Sequence, residues 1–160
     1  VLDDGPCKYG VESTIIDLRN PNIPAILRPG PISARALGIK INVGSDNASE
    51  ENAQVAPGML TQHYSPKAKI ILFPHSSSGG VVMPGGAIVY NKKPPEEALQ
   101  AHTYWLSENG ALEEIAHNLF MVIQKLDQAG YTQLLIERTQ EAGIGIAVND
   151  RLRRSATQPE

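Results

Sequence analysis

The sequence predicts an α/β protein built on an open, mostly parallel sheet, and three observations carry that expectation. Short β-branched runs alternate with helical periodicity through the second half of the chain. Fourteen glycines and twelve prolines among 160 residues supply more turn chemistry than a helical bundle uses. Apolar residues make up 41% of the chain, enough for a real core at this length.

The elements follow in order. Ser13–Leu18 (STIIDL) is a β-branched run between Gly10 and Asn20-Pro21-Asn22, the pattern of a short strand. Ala25–Arg28 is a second strand, stopped by Pro29-Gly30-Pro31. Ser33 then offers a hydroxyl N-cap to a short helix through Leu37, with Gly38 as its stop. Two strands and a turn or two of helix cannot bury a core alone, so this segment is expected to complete a larger sheet. Residues 42–66 have the character of a linker. Gly44–Gln54 is polar and aperiodic, but the stretch after it sets Met59, His63 and Tyr64 among prolines, which a passive spacer does not need.

Beyond Ala68, Lys69–Phe73 is a strand, residues 74–85 a Ser/Gly-rich loop, Gly86–Tyr90 a strand and Thr103–Leu106 a shorter one. Leu112, Ile115, Leu119, Val122, Ile123 and Leu126 repeat at helical spacing, which predicts a helix over 111–129 ending at Gly130. Thr132–Glu137 is a further strand, and the segment from Gly143 to Ser155 closes with a basic helix. Strands alternating with helices give a Rossmann-like three-layer domain. The expected divisions are 1–44, 45–67 and 68–160.

Composition narrows the function. A formal net charge of −3 argues against a protein that grips nucleic acid through its phosphates. No apolar run approaches the roughly 18 residues of a membrane-spanning helix. The lone Cys7 can form neither an internal disulfide nor a multi-cysteine zinc site, fits a reducing cytosol, and is expected to be buried or half-buried. The chain opens on VLDDGPCKYG, with no initiating Met and no charged-then-apolar leader, and reads as part of a longer protein.

Several features invite chemistry. Gly143-Ile144-Gly145 resembles a dinucleotide fingerprint, but it lacks the third glycine and follows the last strand instead of the first. Close backbone packing at a helix start is the better reading. Ser76–Gly80 follows a strand, but no helix start stands behind it, so an exposed loop is expected. Arg151, Arg153 and Arg154 offer contacts to a phosphate or an acidic partner, but such a cluster is more often a solvated helix end, which is the reading preferred. His75, His102 and His117 lack metal-ligand spacing and read as ordinary histidines, so no metal site is expected. Ser13 and Thr14 set adjacent hydroxyls at a strand start. Arg28, fifteen residues on, offers a planar fork of donors for phosphate or carboxylate. Taken singly, Ser13 is a strand hydroxyl and Arg28 a surface charge.

The combined pattern is more specific. GPCKYGVESTIIDL, AILRPGPIS, APGMLTQHYSPKA and GIGIAVNDRLRRSA, in that order and with LFMVIQKLDQAGY between the last two, resemble the two-domain form of the threonylcarbamoyl-AMP synthase family. The resemblance covers nearly the whole chain. It makes the first two motifs the end of a YrdC-like catalytic α/β domain, of which this chain holds a strand-rich remnant. The third becomes the interdomain linker and the rest a C-terminal accessory domain. It implies a nucleotidyltransferase that makes threonylcarbamoyl-AMP and pyrophosphate from L-threonine, bicarbonate and ATP with Mg2+. The product serves tRNA threonylcarbamoyladenosine formation in the cytoplasm. Carried over by position, Ser13 contacts threonine, Arg28 contacts ATP phosphates, and His63 with Tyr64 belongs to a lid over the site. The implied partners are the protein's own catalytic domain and a downstream tRNA-modifying complex. No stable nucleic-acid contact and no membrane are expected. The family's upstream basic pair and Ser-x-Asn segment are absent, and Leu60-Thr61-Gln62 stands where basic and aromatic residues are expected. The 160-residue chain alone is therefore expected to be inactive. The alternative function is a stand-alone Rossmann-like nucleotide-binding or regulatory docking module.

Overall fold

The computed structural model describes Gly5 and residues 7–38, 66–76 and 82–156. Two sheets form. In the first, β1 (Ile15–Asp17) pairs antiparallel with β2 (Ala25–Arg28), with a register shift between Ile15 and Ile16. The second contains β3 (Lys69–Phe73), β4 (Gly86–Lys92), β5 (Thr103–Ser107) and β6 (Gln133–Glu137). Its order is β3-β6-β4-β5 and every pair is parallel. The chain crosses from edge strand β5 to interior strand β6 through α1 (Leu112–Gln128), and α2 (Gly145–Ala156) follows β6.

Why these residues adopt these elements is largely local. Along the strands one set of alternate side chains, Ile70, Ala87, Val89, Leu106, Leu134 and Ile136, joins a single buried cluster. The stripe Ile115, Leu119, Ile123 and Leu126 brings α1 to it, and Ala147, Val148 and Leu152, with Ile144 just before the helix, bring α2. The two helices touch each other, so both lie on one face of the sheet. This is the open parallel α/β layering expected from the sequence, and the described residues supply the sheet and one helical layer. On the opposite face Ile88 is buried, whereas Ile71 is 38% exposed.

Ser107, at the end of β5, braces the start of helix α1. Its hydroxyl accepts from the Gly110 and Ala111 amides and donates to Glu114 Oε2 at 2.6 Å, which orders the first turn. The β6–α2 connection is held by a buried reciprocal pair: Thr139 N donates to Asn149 Oδ1 and Asn149 Nδ2 to Thr139 O, both at 2.9 Å. A Cβ on Gly145 would lie 2.3 Å from the Gln140 carbonyl oxygen, so the close backbone packing expected of that glycine pair is present.

The N-terminal segment is docked onto this domain. Val11 is in the main cluster, Tyr9 packs beside it, and His117 Nδ1 lies 2.9 Å from the Cys7 carbonyl oxygen. Two expectations are corrected here. Cys7 is exposed, because the segment meets α1 through its backbone at that point. Ser33–Leu37 forms a turn: the Ala36 amide does reach the Ser33 hydroxyl at 3.2 Å, but Gly38 follows before a helix can propagate.

Candidate functional site

The site is built where the N-terminal strands meet α2. Ser13 precedes β1 and Arg28 ends β2, and the antiparallel pairing sets Ile15 opposite Arg28. The guanidinium therefore reaches back along β1. Arg28 Nε donates to the Ser13 carbonyl oxygen and Nη2 to Ser13 Oγ, both at 3.1 Å. Nη1 lies 3.3 Å from Glu12 Oε1. Arg28 is only 7% exposed, whereas Ser13 is exposed. The buried fork thus holds the hydroxyl by its lone pair, and the Ser13 proton can be donated outward to an anionic or carbonyl oxygen.

Gly30 makes this arrangement possible. A Cβ there would lie 2.3 Å from Thr14 N, 2.6 Å from the Ser13 carbonyl carbon and 2.7 Å from the Glu12 oxygen. Only a hydrogen fits between the Pro-Gly-Pro turn and the backbone that carries Ser13. Thr14 Oγ1 donates to the Ile32 carbonyl at 2.8 Å and fixes the far side of the same turn.

Beneath Arg28 lies a chain of charges. Glu12 Oε2 accepts from Arg151 Nε at 2.7 Å. Arg151 Nη2 donates to the Pro29 carbonyl at 3.2 Å, and Nη1 pairs with Asp150, which also accepts from Arg154 Nε at 3.0 Å. Arg151 is fully buried. The solvated helix end expected for Arg151, Arg153 and Arg154 is therefore wrong for Arg151, although Arg153 is exposed. A cation at an inward position of a helix needs dedicated anionic and carbonyl partners, because an unpaired buried charge is strongly destabilising.

Of the residues singled out in the sequence, Ser13 and Arg28 come into direct contact. His63 and Tyr64, with most of the linker, lie outside the described residues. Glu12 and Gly30 were not anticipated, and Arg151 was expected at a solvated helix end. For Arg151 a signal was present, since Ala147, Val148, Leu152 and Ser155 mark an inward stripe that passes through position 151.

The histidines take separate roles. His75 Nδ1 lies 3.2 Å from Glu137 Oε1, and His102 Nδ1 lies 2.8 Å from the Tyr131 hydroxyl. Tyr131 also pairs with the Tyr104 hydroxyl at 2.8 Å, and this bond, helped by desolvation, pushes its phenol above the ordinary value. A concavity of about 420 Å³ opens at the carboxyl edge of the parallel sheet, between His75, Asn91, Lys92, Gly110 and Glu137. Glu137 closes its floor, accepting from the Ser76 and Asn91 amides at 2.8 and 2.7 Å.

Residues 23–157 match the family model described as threonylcarbamoyl-AMP synthase, C-terminal domain. The chain belongs to this family. Threonylcarbamoyl-AMP synthases of Pyrococcus abyssi and Schizosaccharomyces pombe are each 31% identical to it over 98% of the chain. That of Bacillus subtilis is 26% identical over the same share. The chain covers 48%, 45% and 48% of these proteins, and so spans about half the length of its relatives. Among solved structures, Sua5 of P. abyssi in complex with L-threonine matches with a TM-score of 0.67 at 26% identity. That match covers 96% of this chain and 48% of the other. A variant of the same protein, with alanine at an adjacent histidine and tyrosine, matches with a TM-score of 0.61 over 93% of this chain and 46% of the other, also at 26% identity. The family is the one the four ordered motifs resemble.

Proposed function

We propose that this chain is the C-terminal part of an L-threonylcarbamoyladenylate synthase, divided at 1–44, 45–67 and 68–160 into the end of the catalytic domain, a linker lid and an accessory domain. In the parent enzyme the threonine amine attacks the carbon of bicarbonate and water leaves. A carbamate oxygen then attacks the α-phosphorus of ATP, and pyrophosphate departs. Ser13 and Arg28 form one wall of that site. The Ser13 hydroxyl donates to the threonine substrate, and Arg28 holds it and adds positive charge beside the phosphates, where negative charge builds in the transition state. ATP arrives with Mg2+, held by groups outside this chain. His63 and Tyr64 close over the pocket and keep water from the labile carbamate. The reaction is cytoplasmic, and its product passes to a tRNA-modifying complex.

The observation that carries this reading is the Arg28–Ser13 contact, which leaves an exposed hydroxyl oriented by a buried guanidinium. The P. abyssi relative, crystallised with L-threonine, supports the choice of substrate. His63–Tyr64 is the one adjacent His-Tyr pair of this sequence, the same residue types as those changed to alanine in the second P. abyssi structure. The test is pyrophosphate release by the full-length enzyme, dependent on both threonine and bicarbonate. Ser13→Ala is expected to raise the KM for threonine about tenfold, the loss of one hydrogen bond worth roughly 1.4 kcal/mol. An unchanged threonine KM overturns the assignment. The 160-residue chain alone is expected to release no pyrophosphate, and activity from it would refute the placement of the remaining ATP contacts upstream.

One observation favours a second reading, in which the accessory domain binds a ligand of its own. Asn91 borders the carboxyl-edge concavity, where open parallel sheets bind ligands, and among the described residues its buried Oδ1 has no hydrogen-bond partner. Nucleotide binding by the 160-residue chain that Asn91→Ala weakens would support it. Binding that survives the change would place the ligand elsewhere.

A further inference from the structure

Arg151 has no place in the chemistry proposed above, yet it is among the largest fully buried side chains of the molecule. Its contacts are unusually directed. Besides Asp150, its chain neighbour, they are the Glu12 carboxylate and the Pro29 carbonyl, 139 and 122 residues away in sequence. Those two groups flank the pair just described: Glu12 adjoins Ser13, and Pro29 adjoins Arg28. The Glu12 carboxylate is shared, with Oε2 on Arg151 and Oε1 on Arg28. A continuous path of direct contacts, none longer than 3.3 Å, thus runs from Arg151 through Glu12 and Arg28 to the Ser13 hydroxyl.

We propose that Arg151, from helix α2 of the accessory domain, is a positioning residue for the threonine site: it fixes Glu12 and the Pro29 carbonyl, and through them the Arg28 fork that orients Ser13. This inference rests on the proposed synthase reading and deepens it. The accessory domain then contributes to substrate recognition without touching substrate.

The chemistry explains why arginine stands there. Two donors of one planar group must point in different directions, Nε to a carboxylate and Nη2 to a carbonyl. Lysine carries the charge on a single atom and cannot reproduce that fork. Without Arg151, Glu12 loses the 2.7 Å bond from Arg151 Nε while its contact with Arg28 Nη1 remains, and its carboxylate can swing toward Arg28. That swing competes with the two bonds from Arg28 to Ser13. The defect should therefore appear first in the affinity for threonine.

The test uses the full-length enzyme with Arg151→Lys, which keeps the buried charge, and with Arg151→Met, which removes it while leaving Glu12 paired with Arg28 and Asp150 with Arg154. Both variants are expected to raise the KM for threonine about tenfold while the KM for ATP moves less than twofold, with Arg151→Lys the milder. Combined with Ser13→Ala, Arg151→Lys is expected to add nothing, because both changes remove the same oriented hydroxyl. If Ser13→Ala alone leaves the threonine KM unchanged, the synthase reading of this wall fails and the proposal falls with it. If Ser13→Ala has its effect but Arg151→Lys does not, the proposal alone is overturned. Effects that multiply in the combined variant, or equal rises in both KM values, assign Arg151 to general stability and overturn it as well.

Discussion

The tightest geometric constraint at the site is Gly30, and replacing it by alanine gives a sharp test of how the wall is built. The added Cβ would meet three backbone atoms of residues 12–14, at 2.3, 2.6 and 2.7 Å. None of these is the end of a flexible side chain, so relief requires the backbone to move. Reaching an ordinary contact of 3.4 Å from 2.3 Å takes a displacement of about 1 Å. Overpacking of this kind costs about 1–3 kcal/mol. The same shift stretches the two 3.1 Å bonds from Arg28 to Ser13 past hydrogen-bond range. Urea unfolding of the chain should show the stability loss. Turnover of the full-length enzyme should fall by up to about 100-fold, the scale of a 1 Å misplacement in an active site. Gly38→Ala is the control: it also lies in the N-terminal segment, with no atom within 4 Å of an added Cβ, and only its φ of +64° is unfavourable. A Gly30→Ala protein within about 0.5 kcal/mol of wild type, with an unchanged KM for threonine, would refute the claim that turn and strand are in obligatory contact.

Asn149→Ala strands the buried amide and carbonyl of Thr139, and urea unfolding should show a loss of about 2–4 kcal/mol; a loss under about 1 kcal/mol counts against the brace. Tyr131 has its phenol raised by Tyr104. Its contribution to stability is therefore complete below the ordinary value of 10 and is lost as pH climbs through the higher folded value. Phenolate absorbance should show a late-titrating tyrosine that Tyr131→Phe removes, and a single wave at the ordinary value in wild type would contradict this. Replacing His63 and Tyr64 together by alanine in the full-length enzyme should lower turnover at least about tenfold, roughly 1.4 kcal/mol, with little change in Tm. Parallel loss of Tm and activity would sink the lid.

Much of the fold could be read locally because its determinants are local. The stripe from Leu112 to Leu126 specified α1 to within a residue at each end, and Lys69–Phe73 was bounded by prolines as observed. Gly86–Tyr90 was read two residues short, because Asn91 and Lys92 lack strand-forming side chains; Lys92 is paired with Ser107, and the Asn91 amide donates to Glu137. Ser33–Leu37 shows the opposite failure. Its capping hydroxyl was recognised, but the five residues before Gly38 close only one turn, with Leu37 N donating to the Ser33 carbonyl at 3.2 Å, too little to propagate a helix. Sheet order was not legible either. It depends on β6 inserting between β3 and β4, which no single strand's pattern encodes.

The site divides along the same line. Ser13 and Arg28 could be singled out through resemblance to a family, but the bond between them follows from the antiparallel register, which a sequence does not display. Arg151 illustrates the deeper reason. By composition it belongs to a basic run, DRLRR, and helix ends favour cations, so the solvated reading was natural. By periodicity the same position lies on the stripe of Ala147, Val148, Leu152 and Ser155, which pointed inward. The two signals conflict, and burial decides in favour of the second because the partner exists: Glu12, 139 residues earlier, can neutralise the charge. A charged residue on an otherwise inward stripe therefore marks a contact whose other half is distant in sequence. Here the other half adjoins Ser13 and Arg28.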